Sequence, residues 1–566
     1  MRRLIPTVAL LLAGCASTQP RFRDAPVVWA VDDKVSIEPP EENDYYRYPY
    51  MADVFLLRAA TRALELHDYE PAWNTNALDE VPASSWFTPR VGHRPVSPEA
   101  VAKGPDVNGP PVPPLVIFAG KSAGGNPGFF VKDARGVRYL IKFDPKDSPE
   151  IQTATDAIVS RLFWALGYNV PADHVFVFAR GDVSVGEGAK RKNDLGEKVP
   201  LTDADLDDVL ATAPRRPDGR YRALASTFLD GKPLGGAVPE GVRDDDPNDT
   251  VPHEHRRELR GLRVFAAWLN HTDMKEDNTL DMFVEEDGRR FVKHHLVDFG
   301  EAFAAHGAEK NRREDGYEHF WDWWAQPVGL VTLGLWVRPW EQLEPTRWLS
   351  VGTFSAEPFD PWAWKEAYPF WPFREADLAD LYWGARLVMH LERAHLEAAV
   401  ATGQLSHPDA ARYLVDVLEA RRDAVGRAFL EAVSPLDQLQ VLGSRAGGAV
   451  PPLSAGLRPA ARSAGETSGR TLCGVDQSVR FGLVSAGLVQ VLDEADEVTA
   501  DASVGLDGAF CVPVPEGEAY RILRLRVKRG PREHPVMQVH LRDDARGLRI
   551  SGVIRVEANP AAPPAR

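Results

Sequence analysis

The chain is poor in basic charge, in long apolar runs and in cysteine. Its formal net charge is −16 at pH 7, which argues against a nucleic-acid partner because nucleic acids are usually bound by a basic face. Beyond the N-terminus no run of about 18 apolar residues occurs, so no transmembrane helix is predicted there. Only three cysteines are present, Cys15, Cys473 and Cys511. Most of the chain is therefore expected to fold in water.

The first residues are predicted to be a targeting segment. A basic start, Arg2-Arg3, precedes an apolar run that ends at Gly14 and is too short to span a bilayer. The run ends in Leu-Ala-Gly-Cys15, which resembles the cleavage box of bacterial lipoproteins. The resemblance implies a signal peptide over residues 1–14, acyl chains on Cys15 and a lipid-anchored place in the bacterial cell envelope. An ordinary secretory signal is the alternative.

If Cys15 is lipidated, two cysteines remain, Cys473 and Cys511. In an exported chain Cys473 and Cys511 are predicted to form a disulfide. Two buried free thiols are the alternative.

Two short motifs lie close together in the middle of the chain. The first is HTDMKEDN at residues 271–278 and the second is DFG at residues 298–300. Between them, two apolar runs flank Glu-Asp-Gly at residues 286–288, which predicts a β-hairpin. A loop, a hairpin and a turn are therefore expected to follow one another.

The two motifs resemble the catalytic loop and the metal-binding turn of the protein kinase-like superfamily, whose signatures are H-R-D-L-x-x-x-N and D-F-G. The resemblance implies that Asp273 is the catalytic base and that Lys275 lies near the transferring phosphate. It also implies that Asn278 and Asp298 hold Mg²⁺, or Mn²⁺ in its place, on the phosphates of ATP. His271 would support the loop.

The same resemblance predicts a small β-rich lobe, which residues 115–260 supply together with a polar insertion. Apolar runs at 115–119, 129–132 and 137–143 predict three strands, with a glycine-rich turn between the first two. Backbone N–H groups of such a turn can approach phosphates closely, and a lysine on the third strand can bind the α- and β-phosphates. The nucleotide-binding candidates are Lys142 on the third strand and, in the turn, Lys121, Gly124, Gly125 and Gly128.

A helix after the third strand should supply an acid that pairs with Lys142. Ser148 and the proline after it favour a helix start, and apolar residues at helical spacing continue towards Gly167. Glu150 has the longer reach, but it also suits the positive end of the helix dipole. Asp156 lies deeper in the helix but has a shorter side chain. The sequence leaves both acids open.

An Ala-Pro-Glu motif, which would close the activation segment of a eukaryotic-type kinase, does not follow Asp298. The resemblance is therefore to atypical branches such as the HipA-type, secretory-pathway and spore-coat kinases. It implies an α+β fold in which a two-lobed kinase-like domain precedes a small β-sandwich. The predicted divisions are a signal peptide (1–14), a tether (15–50), a helical or irregular extension (51–114), the small lobe (115–260), the large lobe (261–440), a linker (446–469) and a β-sandwich-like domain (470–558).

Nine of the fifteen tryptophans lie between Trp321 and Trp371. An aromatic-rich core of the large lobe is the favoured interpretation. An aromatic groove for an acceptor such as a glycan or a peptide is the alternative.

The sequence favours a lipoprotein that transfers a phosphoryl group from Mg-ATP to a protein or glycan hydroxyl. ATP is scarce outside the cytoplasm, which keeps open a catalytically silent scaffold at the envelope. Nucleotidyl transfer to a protein is a third possibility. The intact set of acid, amide and lysine favours an enzyme, because a scaffold has no need of it.

Overall fold

The computed structural model describes residues 22, 24–43, 45–62, 70–121, 127–193, 196–306, 312–344, 347–443 and 470–555. These residues form a mixed α+β fold with helices and several β-sheets, which confirms the predicted α+β class. Some sequence predictions fall outside the described residues, namely those for the signal peptide, Cys15, Gly124, Gly125 and the linker.

The described residues between 24 and 114 are mostly irregular and pack into later parts of the chain. Trp86 and Phe87 are buried in the largest hydrophobic cluster, and Asn43 N donates to Leu234 O at 2.6 Å. The described residues from Arg47 to Arg62 are helical, and residues 63–69 lie outside the described ranges. The helical elements are α1 (Arg47–Ala52), a π-helical turn (Asp53–Leu57), α2 (Arg58–Arg62) and α3 (Pro98–Lys103).

The next part of the chain builds a seven-stranded sheet. The elements of this part of the chain are β1 (Leu115–Gly120), β2 (Gly128–Lys132), β3 (Arg138–Lys142), α4 (Ile151–Leu166), β4 (Asp173–Phe178), β5 (Val183–Lys192), β6 (Lys198–Pro200), α5 (Asp203–Thr212), β7 (Tyr221–Thr227) and β8 (Lys232–Gly235). All of these strands except β8 belong to the sheet. The strand order is β4-β7-β3-β2-β1-β5-β6. β3 is therefore central, and Lys142 is its last residue.

The segment predicted as a polar insertion belongs to this sheet. β5 pairs parallel with β1, β6 pairs with β5, and α5 follows directly. Ala189, Leu206 and Leu210 are buried in the core of the sheet. These few apolar positions lie among many charged ones, which explains why the sequence pattern alone indicated a solvated segment.

Helix α4 lies between the sheet and the later helices, and every residue in it except Trp164 is buried. Ile158 and Leu162 join the cluster of helices, whereas Ala157 packs against Val175 and Leu224 of the sheet. Such burial on both sides holds the helix in one orientation. The side chains that α4 directs at the sheet are thereby fixed.

The two sequence motifs flank a β-hairpin. The elements are α6 (Arg257–Leu269), β9 (Thr279–Glu286) and β10 (Arg289–Leu296), and β9 also pairs with β8. The hairpin turns at Asp287 and Gly288, which both have positive φ angles of 51° and 74°. A two-residue turn whose twist matches that of the flanking strands requires a positive φ at both of its central residues. The predicted hairpin is thus present.

The helices that follow are α7 (Ala325–Val331), α8 (Trp371–Arg374), α9 (Leu378–Met389), α10 (Arg393–Thr402) and α11 (Pro408–Phe429). The tryptophans before them do not all enter a core. Trp364 and Trp371 are buried, but Trp321, Trp323 and Trp324 are 46%, 56% and 72% exposed. The favoured expectation of an aromatic core is therefore wrong for these three residues.

The C-terminal part contains two sheets that share one hydrophobic core. Its elements are β11 (Leu436–Leu442), β12 (Thr471–Asp476), α12 (Gln477–Arg480), β13 (Leu488–Leu492), β14 (Val498–Ser503), β15 (Ala509–Pro513), β16 (Tyr520–Arg529), β17 (Arg532–Glu533), β18 (Met537–Asp544) and β19 (Gly547–Ile554). One sheet has the order β11-β12-β15 and the other β14-β13-β16-β18-β19, with β17 beside β16. Leu472 and Val512 of the first sheet cluster with Val489 and Val539 of the second.

Cys473 and Cys511 are directly opposite each other on β12 and β15 and form a disulfide, which confirms that prediction. Within the ranges given above, no helix is both long and apolar enough to cross a bilayer.

We expect the Cys473→Ser, Cys511→Ser double variant to lose about 4 kcal/mol of stability in the C-terminal part. The bond closes a loop of 38 residues in sequence, and closing such a loop restricts the unfolded chain by about that amount. Urea unfolding of the variant and of the oxidised parent measures the difference. Equal unfolding midpoints and slopes for the two proteins would contradict a stabilising role.

Candidate active site

A cleft of about 580 Å³ lies where the seven-stranded sheet, α4 and the two motifs meet. Four lysines and several acids line it, so its lining is rich in charged groups. The predicted site residues that line it are Lys121, Lys142, Asp273, Lys275, Asn278 and Asp298.

Lys142 is held between two carboxylates from distant parts of the chain. Its Nζ lies 2.7 Å from Asp298 Oδ1 and 3.7 Å from Asp156 Oδ2. Asp298 is 156 positions away in sequence. Since β3 is paired on both sides, with β2 and β7, the lysine projects from a fixed strand.

The two carboxylates beside Lys142 differ in the direction of their pKa shifts. Burial works against the charge on Lys142, but Asp156 and Asp298 outweigh it and raise the pKa of the lysine. Lys142 lowers the pKa of Asp298, whose side chain is 56% exposed in the cleft. Burial raises the pKa of Asp156 to about 6, although Lys142 opposes the shift. Asp298 is therefore the more readily ionised partner.

Of the two acids that the sequence left open, Asp156 is the one near Lys142. Glu150 instead accepts a hydrogen bond from Ser406 N at 2.9 Å. It precedes the first residue of α4 and has a φ of 75°. The helix was expected to begin at Ser148, but α4 begins at Ile151. Asp144 caps its first turn, since Asp144 Oδ1 accepts hydrogen bonds from Gln152 N and Thr153 N at 2.8 Å each.

The Asp298-Phe-Gly turn is locked to α4. Phe299 N donates to Asp156 Oδ1 at 2.7 Å, and the Phe299 ring stacks on Phe163 of the same helix with centroids 5.2 Å apart. Asp298 has a φ of 62°, a left-handed conformation that costs an ordinary residue about 1 kcal/mol. A Cβ on Gly300 would lie 3.0 Å from Asp156 Oδ2, so a glycine lets the turn approach the buried acid.

The catalytic-loop residues form a compact group. Lys275 Nζ lies 2.7 Å from both oxygens of Asp273. Asn278 Nδ2 donates to Asp273 O at 2.6 Å and to Asp273 Oδ2 at 2.9 Å. Burial opposes the charge on Lys275, but Asp273 outweighs it and raises the pKa of the lysine. Val297 N donates to Asn278 O at 3.0 Å, which joins the loop to the Asp298 turn.

His271 packs inside the protein beside both motifs. Its ring centroid lies 6.2 Å from that of Phe163 and 5.9 Å from that of Phe299. Burial lowers the pKa of His271 to about 4, so its ring is neutral at pH 7. The geometry suits a structural support and not a proton carrier.

Of the glycine-turn residues, Lys121 and Gly128 are described. Lys121 lines the cleft, and burial together with Lys142 lowers its pKa. A Cβ on Gly128 would lie 2.1 Å from Ile141 O. Close contact with β3 therefore requires a glycine there.

The sequence did not indicate three acids or bases that line the cleft, Asp144, Glu301 and His306. His306 is hydrogen-bonded to Asp315 and lies 3.6 Å from Glu301. Burial would lower its pKa, but the bonds to the two acids outweigh it and raise the pKa to about 10. The sequence signal that could have indicated this group is Glu301, an acid that directly follows the Asp-Phe-Gly motif.

The N-terminal extension reaches the catalytic loop. Asn43 Nδ2 donates to Glu276 Oε1 at 2.8 Å and to Gly236 O at 3.1 Å. Burial raises the pKa of Tyr45 to about 12, and the charge of Lys275 opposes the rise. On the other side, Lys275 Nζ lies 5.3 Å from the ring centroid of Tyr368. Residues from two distant segments therefore lie near the loop.

The oxygen atoms at the cleft fit a magnesium ion bound mainly through phosphates. Across the described ranges, no group of three or more His, Cys, Asp or Glu side chains could hold a metal alone. Mg²⁺ is usually bound by one or two carboxylates together with substrate phosphates. Asp298 supplies an exposed carboxylate. The donated bonds of Asn278 use Nδ2, which leaves Oδ1 as the oxygen that can bind a metal.

Comparisons with known proteins give a weak structural similarity. No protein-family model matches the chain, and no curated protein matches it. Among solved structures, the Golgi casein kinase and the Golgi casein kinase with Mn/ADP bound each align with a TM-score of 0.24 and 11% identity. The alignments cover 58% and 59% of this chain and 78% of the kinase chain in both cases. A similarity at this level does not define the fold.

We expect the ion pair of His306 to stabilise the protein most at low pH. The pKa of His306 in the folded protein is about 10, above its usual value in an unfolded chain of about 6.5. Its stabilisation is therefore fully present below pH 6.5 and is lost as the pH rises through about 10. His306→Gln should cost about 3 kcal/mol at pH 6, and the difference should shrink towards pH 10.

Urea unfolding of the parent and the His306→Gln variant between pH 6 and pH 10 measures this difference. Asp315→Asn removes the partner and should show the same trend. A difference that stays constant over this pH range would contradict the ion pair.

Proposed function

We propose that the protein is an atypical kinase-like phosphotransferase, which uses ATP with Mg²⁺ or Mn²⁺ to phosphorylate a hydroxyl group of a protein or glycan. The observation that carries the proposal is the 2.7 Å contact between Lys142 and Asp298 in a cleft that also contains Asp273 and Asn278. An ammonium group, a metal-binding carboxylate, an amide and a candidate base are the groups that phosphoryl transfer requires.

The proposal includes a two-lobed arrangement. The seven-stranded sheet has a hydrophobic core of its own, while α4, α6 and the later helices share a larger one. The cleft is lined from both groups, by Lys142 of the sheet and by the loop and turn near α6. This is where a nucleotide would lie in a kinase-like domain.

Each side chain has a definite task in this reaction. Lys142 binds the α- and β-phosphates, and Asp156 orients it from the buried side. Asp298 and Asn278 hold the metal, which when bound neutralises charge on the phosphates. The oxygen of the acceptor hydroxyl bonds to the γ-phosphorus, and Asp273 accepts the proton of that hydroxyl. The bond from that phosphorus to the β–γ bridging oxygen breaks, and ADP leaves.

Lys275 links the base to the transferred group. In the structure its ammonium group pairs with both oxygens of Asp273. During transfer the same ammonium group lies beside the equatorial oxygens of the phosphoryl group. Charge that develops there is stabilised by a cation already in place.

We expect the purified protein to bind ATP only when Mg²⁺ or Mn²⁺ is present, and to transfer phosphate to an acceptor hydroxyl. Asp298→Ala should reduce turnover by on the order of 100-fold or more, because it removes a charged group that positions the metal. Asp273→Asn should reduce turnover while nucleotide binding persists. Titration calorimetry measures the binding, and the mass of the product distinguishes added phosphate from added nucleotide.

Glu150→Gln is the matched control for Asp156→Asn. Both replace a buried acid by its amide, one directly before α4 and one within it, but only Asp156 lies near Lys142. Asp156→Asn should weaken nucleotide binding and Glu150→Gln should not. An Asp298→Ala variant that binds and turns over ATP like the parent would refute the site. A protein that binds no nucleotide but keeps a stable envelope partner would favour the scaffold.

We also propose that Cys15 carries the lipid anchor of an envelope lipoprotein. The support is the Leu-Ala-Gly-Cys sequence after a short apolar run. Bacteria that express the chain and are fed an alkyne-labelled fatty acid should incorporate the label into the parent and not into the Cys15→Ser variant. Equal labelling of both would overturn the assignment.

A further inference from the structure

The segment from Phe320 to Trp340 exposes an unusual amount of apolar surface, and we call it the tryptophan hairpin. It consists of α7, a turn and a returning segment. Leu330, Val331, Leu333 and Leu335 are between 77% and 86% exposed. Single exposed apolar residues are common on proteins, but a continuous group of this kind marks an interaction surface.

The charges of the hairpin are confined to its base and are paired there. Residues 325–337 contain no Asp, Glu, Lys or Arg, in a chain that is 26% charged. On one side Asp322 Oδ2 lies 2.6 Å from Lys365 Nζ. On the other, Arg338 Nη1 lies 2.8 Å from Glu318 Oε2. The exposed end is thus apolar, and the charges beside it are already neutralised.

The backbone N–H groups at the turn are hydrogen-bonded within it. Those of residues 332–335 donate to the carbonyls of Val328, Leu330, Gly329 and Thr332 at 2.9–3.2 Å. The Thr332 hydroxyl donates to Val328 O at 2.8 Å. Such bonds are common at helix ends in water. They also suit a turn in hydrocarbon, where each unsatisfied polar group costs several kcal/mol.

Tryptophans flank the aliphatic end and are fixed to the body of the protein. Trp323 Nε1 donates to Phe55 O at 3.1 Å, and Trp340 Nε1 donates to Glu318 Oε1 at 2.7 Å. Trp324 and Trp336 lie between these fixed residues and the turn. Aliphatic residues at the end and indoles behind them match the order of hydrocarbon and interface in a bilayer.

The predicted lipid anchor would keep the folded part of the chain close to a membrane. Asp24 is nine positions after Cys15 in the sequence. The continuous described chain begins at Asp24, which is paired with Arg546 at 2.8 Å. Nine residues reach at most roughly 30 Å when fully extended. An acylated Cys15 would therefore hold the folded body against the bilayer.

We propose that the tryptophan hairpin inserts its aliphatic end into the interfacial region of a lipid bilayer. The contact is independent of the phosphotransferase reaction and adds a second membrane attachment to the predicted acyl chains. Two attachments bind far more stably than one. They also fix which side of the protein faces the membrane.

The test uses an environment-sensitive fluorophore at the end of the hairpin. The full chain carries Cys15→Ser, so that no lipid is attached, and Leu333→Cys as the labelling site. The matched control replaces Leu506, which is 94% exposed in the C-terminal part, by cysteine in the same background. Both variants share residues 1–14, so any attachment through that segment is common to them. The vesicles contain phosphatidylethanolamine and phosphatidylglycerol, with and without a nitroxide-labelled lipid.

We expect the probe at position 333 to shift to the blue with vesicles and to be quenched by the nitroxide lipid, while the probe at 506 does neither. In the same background, Leu330→Glu with Leu335→Glu should reduce vesicle binding at least about tenfold, because charge replaces the inserted apolar groups. Absence of both shift and quenching at 333 would overturn the proposal. So would a shift without vesicles that grows with protein concentration, since it would assign the hairpin to contact between copies.

Discussion

Lys142 places one ammonium group between two carboxylates that reach it from different elements. Asp156 approaches from a helix that is buried on nearly every side, and Asp298 approaches from a turn with a left-handed backbone. The hydrogen bond from Phe299 N to Asp156 ties these elements to each other as well as to the lysine. Removing Lys142 would leave the buried Asp156 carboxylate without its cation, which is costly in a protein interior. The position of the metal-binding candidate is therefore fixed by the same contacts that hold the sheet, the helix and the turn together.

Much of the site could be predicted from sequence because its residues lie in short motifs with fixed spacing. The spacing from 271 to 278 and the Asp-Phe-Gly sequence are local patterns, and the hairpin between them follows from two turn residues with positive φ. The choice between Glu150 and Asp156 could not be made, because it depends on how α4 packs and not on the helix sequence. The strands β5 and β6 were hidden by their charge, since β5 has only two buried residues and β6 has none. The exposure of Trp321, Trp323 and Trp324 was also unpredictable from composition, because aromatic residues usually indicate a core.

The tryptophan hairpin and the cleft are connected through a row of aromatic rings. Phe320, at the base of the hairpin, stacks on Tyr368 with ring centroids 6.0 Å apart, and Lys275 lies over the other end of this row. Phe55 of the N-terminal extension packs against both rings. A surface suited to lipid is thus contiguous with the loop that holds the candidate base. Acceptors presented near a membrane would be within reach of such a loop.

The path of the N-terminal extension determines where mechanical load on the chain is borne. Asp24 is paired with Arg546 and Arg549 at the C-terminal hairpin of β18 and β19, whereas Asn43 is bonded to Glu276 beside the candidate base. A pull on the residues before Asp24 is therefore taken first by the β-rich C-terminal part. It reaches Glu276 only after the arginine contacts have broken. If the N-terminus is anchored, its fluctuations would in this way be damped at the C-terminal hairpin before they disturb the geometry beside the candidate base.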